Sequence, residues 1–198
     1  MTLAEIVVVV AILGLIMLAV TAFQKNIIVQ NKFANDALSS AQDARIILRT
    51  MTRELRATSP GSNGAYAIAQ AATNTLTFFS DTDGDGLKEQ IRYYIATTTP
   101  PTLKRGSIKP TGSPSVYNPA SEVISTLAYN IKNGTSVALF EYFDSTYAGT
   151  SSPLTQPVTV TNIHLVRINL MIDADANRSP IPRTFTSQVH LRNLKDNL

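Results

Sequence analysis

The chain has 198 residues, 44% of them hydrophobic, with 17 basic against 14 acidic side chains and no cysteine. Disulfides and thiolate metal sites are therefore excluded, and so small and dispersed an excess of positive charge argues against nucleic acid as the main partner. The length accommodates one ordinary domain plus an appendage.

The first element is the run MTLAEIVVVVAILGLIMLAV, uncharged from Ile6 to Gln24 apart from the carboxylate of Glu5 just ahead of it. About 20 apolar residues span a bilayer, but a carboxylate held at the edge of hydrocarbon usually has a partner. The nearest amine is the chain's own amino terminus at Met1, or the same group on a neighbouring copy. A cleavable secretory signal would put basic residues before the run, and the first basic residue here is Lys25. A plain membrane anchor fits the length and leaves Glu5 unexplained. A segment that resides in the membrane and is later buried among copies of itself gives Glu5 a role. Gly14 is the one interior glycine, a place for close helix packing or for local loosening of the helix.

After Lys25 the apolar residues Phe33, Ala37, Ala41, Ala44, Leu48, Met51 and Leu55 recur at three- and four-residue steps, which predicts an amphipathic helix. Arg45, Arg49, Arg53 and Arg56 line another side, as a solvated face or as a contact for a neighbouring subunit or acidic partner. No proline precedes Pro60, and TSPGSNG ends the pattern. One helix of some 55 residues would reach about 80 Å.

The rest reads as strands and turns. NTLTFFS and EQIRYYIA are β-favouring runs separated by DTDGDGLK, and VISTLAYNIKN and TSVALFEYF flank Asn133-Gly134, a hairpin signal. NIHLVRINLMID and RTFTSQVHLRNL are suited to pair as long antiparallel strands, and residues 97–121 and 144–157 read as loops. The expected fold class is α+β: a long N-terminal helix on an antiparallel sheet. Its parts are an apolar helix over 1–24, an amphipathic helix over 25–59 packing on the head, and a β-rich head over 60–198.

The most chemical stretch is SDTDGDGLKEQ. Asp81, Asp83 and Asp85 alternate, Gly86 takes the sixth place and Glu89 the ninth, as an EF-hand loop begins. The twelfth place, normally a bidentate glutamate, is Arg92. Two readings stand: a Ca²⁺ site with Asp81, Asp83, Asp85 and the Leu87 carbonyl as ligands and Glu89 as an addition to them, or a polar hairpin turn. Asp173, Asp175 and Asn177 form a shorter alternation that reads as a turn, and NGT at 133–135 and NRS at 177–179 match the glycosylation acceptor pattern. The two histidines, His164 and His190, sit in strand patterns with no nucleophile elbow nearby, so no enzyme is expected.

Thr2, Leu3, Glu5, the Val/Ile-rich run and Gly14 together resemble the mature amino terminus of type IV pilins and of the pseudopilins of type II secretion. RELRA at the helix end, the Asp-Gly-rich hairpin before IRYYI and the closing SQVHLRNL resemble, more loosely, W-type minor pilins and the minor pseudopilin J. The family's usual first residue is Phe where this chain has Met1, and many members carry Pro at the position of Ala22. The resemblance implies removal of a leader by prepilin peptidase, N-methylation of Met1 and a membrane-resident stage. Assembly machinery then polymerises copies of the chain into an extracellular helical filament, a pilus or fimbrium. It also implies that Glu5 pairs with an amino terminus, while a low-copy minor subunit that primes or caps a filament is the alternative. A membrane-anchored, Ca²⁺-dependent binding domain is the alternative of another class.

Overall fold

The computed structural model describes residues 2–134, 137–173 and 182–191. The chain divides into two units, residues 1–41 and 42–198. A single helix, α1 (Leu3–Arg56), contributes to both. No proline interrupts it, and TSPGSNG stops it where the sequence predicts.

In the first unit every described residue up to Lys32 is exposed. Its most apolar window is long enough to cross a membrane, and none of it is buried. Thr21 donates its hydroxyl back to the carbonyls of Met17 and Leu18 at 2.9 and 3.0 Å, so that group is bonded by its own helix.

In the second unit, Ala44, Ile47, Leu48, Met51 and Leu55 form the buried stripe at helical spacing. They join one core with Leu76, Phe78, Ile91, Tyr93 and Leu103 on one side and Tyr142, Val166, Ile168 and Leu170 on another. Those residues come from two sheets. The larger is fully antiparallel in the order β1 (Ile68–Ala71), β2 (Thr75–Ser80), β3 (Glu89–Ala96), β4 (Thr102–Ile108), β5 (Val123–Ala128). The smaller is β6 (Phe140–Phe143), β7 (Leu165–Ile172), β8 (Arg183–His190). The α+β class and the β7/β8 pairing agree with the sequence reading.

Three features differ from it. Residues 97–121 hold strand β4, whose polar centre Lys104-Arg105-Gly106-Ser107 hides its pattern. The short β1 was not visible in an Ala- and Gln-containing stretch. Finally, Asn133-Gly134 does not close a hairpin, because β5 pairs with β4 and β6 pairs with β7. The side chain of Asn133 explains the difference. Its amide donates to Asn169 O at 2.6 Å and its oxygen accepts from Met171 N at 2.8 Å. Together with Lys132 N donating to Met171 O at 2.9 Å, it occupies the end of β7 that β6 does not reach. An amide engaged in this way is also not presented as a glycosylation acceptor. Asp173 pairs with Lys132 at 3.6 Å. Asp175, Asn177, the acceptor pattern at 177–179 and residues 192–194 of the closing strand pattern lie outside the described residues.

Candidate functional site

Glu5 sits at N3 of α1 with Thr2 as the N-cap. Thr2 N donates to Glu5 Oε2 at 2.8 Å, and Glu5 N donates to Thr2 Oγ1 at 3.4 Å. This reciprocal arrangement is a capping box, and Thr-x-x-Glu at residues 2–5 is its sequence signal. The carboxylate thus satisfies helix-end donors within its own chain. Met1, the other proposed partner and the modification position, lies outside the described residues. Around Glu5 the surface is apolar: Val8 and Val9 line the same shallow depression. No side chain comes within 4 Å of a Cβ built on Gly14.

The aspartate loop has more internal structure. The β2/β3 hairpin ends at the register pair Ser80 and Glu89, leaving residues 81–88 as the loop. Asp81 accepts from the amides of Gly84 and Gly86 at 2.7 and 3.1 Å and from Lys88 Nζ at 3.3 Å. Gly86 has φ +88°, the left-handed conformation required at the sixth place of such a loop. Asp83 Oδ2 accepts from Lys109 Nζ at 2.9 Å, and the same ammonium meets Asp85. Asp85 also accepts from Leu87 N at 2.8 Å. The loop's exit is pinned by Tyr117, whose hydroxyl donates to Lys88 O at 2.6 Å.

These contacts set the titration behaviour. The Lys109 ammonium, then the Leu87 amide, holds Asp85 below the ordinary carboxylate range. Desolvation pushes Asp81 up, but the Gly84 amide, Lys88 and the Gly86 amide outweigh it and leave the group below its ordinary value. Asp85 and then Asp83 raise Lys109.

Glu89 is different in kind. It is only 4% exposed. Its Oε2 accepts from Thr82 N at 2.8 Å and Thr82 Oγ1 at 2.9 Å, while Oε1 is buried and has no hydrogen-bond partner among the described residues. One carboxylate oxygen from each of Asp81, Asp83 and Glu89 lies within 4.8 Å of the others. Thus the structure gathers Asp81, Asp83 and Glu89, and it leaves Asp85 outside that cluster, on Lys109. Leu87 is 39% exposed in the same loop. Arg92 is committed elsewhere, its Nε and Nη2 forked onto Glu122 at 2.9 and 2.6 Å.

The sequence reading missed a buried ionic cluster. Glu54 of α1 is 7% exposed, and its Oε2 accepts from Tyr93 Oη at 2.6 Å and Arg105 Nε at 3.1 Å. Burial, then the Glu54 charge, pushes the Tyr93 phenol far up. The usable signal was a carboxylate at position 54 on the stripe that continues through Met51 and Leu55. The four arginines open onto a groove with Thr52, Thr186 and Ser187, and among the described residues none of the four makes an ion pair. His164 and His190 share a depression with Asp144, Ser145 and Tyr147. Asp144 is held by Thr146 at 2.7 and 2.9 Å, and among the described residues neither histidine hydrogen-bonds a serine or aspartate. No family model, curated protein or solved structure matches the chain.

Proposed function

We propose that this protein is a structural subunit of a type IV pilus-like extracellular filament, polymerising through α1. The observation that carries the reading is the contrast within that helix. Leu3, Val7, Leu15, Met17 and Leu18 are all more than half exposed, whereas the stripe from Ala44 onward is buried. An apolar surface of that extent needs a cover, either lipid or other copies of itself. Transfer from bilayer to filament axis keeps the same face dry in both places, so the hydrophobic term changes little. The choice of register then falls to polar contacts. Glu5 is the one carboxylate on this face, and an ion pair in a dry axis contributes little net stability yet tolerates a missing partner badly. A carboxylate reaching for a neighbour's amino terminus supplies that register. Support also comes from the architecture, a long apolar helix with an antiparallel β head, and from the resemblance at residues 2–14. On this reading the chain resides in the cell membrane before assembly and on the cell surface afterwards.

The capping box supplies a competing role for Glu5, and one substitution separates the two. Glutamine also serves at the N3 position of a capping box, so Glu5→Gln keeps the helix cap and removes the charge. We expect Glu5→Gln and Glu5→Val both to accumulate in the membrane fraction at normal levels and both to lack surface filaments by electron microscopy. Wild-type filament numbers in Glu5→Gln would limit Glu5 to capping its own helix and defeat the register mechanism.

A further inference from the structure

We propose that the β2/β3 loop is a Ca²⁺ site, with Asp81, Asp83 and the buried Glu89 as its carboxylate ligands. Two observations meet there. The first is spacing. Oxygens that share one Ca²⁺ at about 2.3–2.6 Å stand no more than about 5 Å apart, and the three carboxylates place theirs within 4.8 Å of one another. The second is independent of the first. Glu89 is only 4% exposed, and its Oε1 has no hydrogen-bond partner among the described residues. A bare carboxylate oxygen shut away from water is strongly unfavourable, and such an orphan calls for a ligand. A cation is the natural complement.

The surroundings fit the same ion. Ser80 stands directly across from Glu89 in the hairpin, and Thr58 directly across from Ser80. The hydroxyls of both are buried and unpartnered among the described residues. Their oxygens are neutral donors suited to an ion's water shell. Four carboxylates face two ammonium groups, Lys88 and Lys109, around this loop. The imbalance is two negative charges, which one divalent ion neutralises. Every donor is oxygen, which selects a hard cation, and an irregular loop suits the variable coordination of Ca²⁺ better than the strict octahedron of Mg²⁺. The site is not a full EF-hand, because Arg92 is forked onto Glu122. Glu89, at the hairpin base, takes over the anchoring role.

Lys109 then acquires a function. Its side chain is half exposed and its ammonium lies on Asp83 and Asp85. It acts as an internal cation that occupies part of the site and competes with Ca²⁺.

The test is calorimetric titration of the full chain, stripped with chelator and held in detergent micelles at physiological salt, with CaCl₂ and separately with MgCl₂. The expected result is a saturable single site for Ca²⁺ with Kd about 10⁻⁴–10⁻³ M, and markedly weaker binding of Mg²⁺. Glu89→Gln should weaken Ca²⁺ binding at least about tenfold, the loss of one charged ligand. Lys109→Ala, an exposed change, should tighten it several-fold by removing the competitor. Absence of saturable binding at millimolar Ca²⁺, or equal binding of Mg²⁺, would overturn the site. So would unchanged affinity in Glu89→Gln, or unchanged or weaker affinity in Lys109→Ala.

Discussion

Replacing Glu54 by alanine is expected to lower the melting temperature of the protein by roughly 6–20 °C. The estimate joins about 3–5 kcal/mol for breaking a buried ion pair to about 2–4 °C per kcal/mol for a chain of this size. The reason lies in what remains. Arg105 keeps its charge on a side chain that is only 19% exposed, and Tyr93, fully buried, keeps a hydroxyl with no acceptor. Glu54→Gln should lose less, since an amide oxygen still accepts from Tyr93. A double change, Glu54→Leu with Arg105→Met, should recover most of the loss, because apolar replacement of a whole buried pair is often neutral. Melting followed by circular dichroism checks all three. A shift below about 2 °C in Glu54→Ala would mean that the cluster contributes less than about 1 kcal/mol.

A chain beginning at Lys25 is expected to purify without detergent as a monomer, whereas the full chain requires detergent. Ile6 to Phe23 hold most of the exposed large apolar side chains of α1, and the core stripe begins only at Ala44. Removing the first segment therefore deletes the surface that demands a cover and leaves the core residues in place. Light scattering on a sizing column gives the mass. Filaments formed by the shortened chain would contradict polymerisation through α1.

Legibility in the sequence followed the physical origin of each signal. The helix and the β7/β8 pair were readable because long apolar periodicity outlasts single exceptions. Strand β4 was not, because Arg105 is placed for Glu54 and Gly106 for Glu122, so tertiary needs overwrote the local pattern. Asn133-Gly134 misled because Asn133 bonds to β7 rather than turning the chain. In the aspartate loop, the structure orders the residues that spacing pointed to differently. Glu89, a secondary candidate by spacing, is the buried one, and Asp85 is drawn off by Lys109. Burial of a ninth-place carboxylate depends on the hairpin register, which no local motif encodes.

The fork between Arg92 and Glu122 carries a consequence for how this protein can change over descent. Gly106 lies opposite Arg92 on one side and Ile124 on the other, and a Cβ at 106 would overlap the Glu122 carboxylate. The three positions are thus one inherited unit: glycine at 106 is tied to an opposite-charge pair at 92 and 122. For the proposed calcium site, it would also close the simplest route to tighter binding. A glutamate at 92 would complete the loop's ligand count on paper, but it would face Glu122 and repel it. Among descendants of this sequence, glutamate at 92 is expected only alongside a neutral or basic residue at 122. Glycine at 106 should be free to vary only once the pair is gone. A broad collection of related sequences checks this, and frequent alanine at 106 beside an intact Arg–Glu pair would refute it.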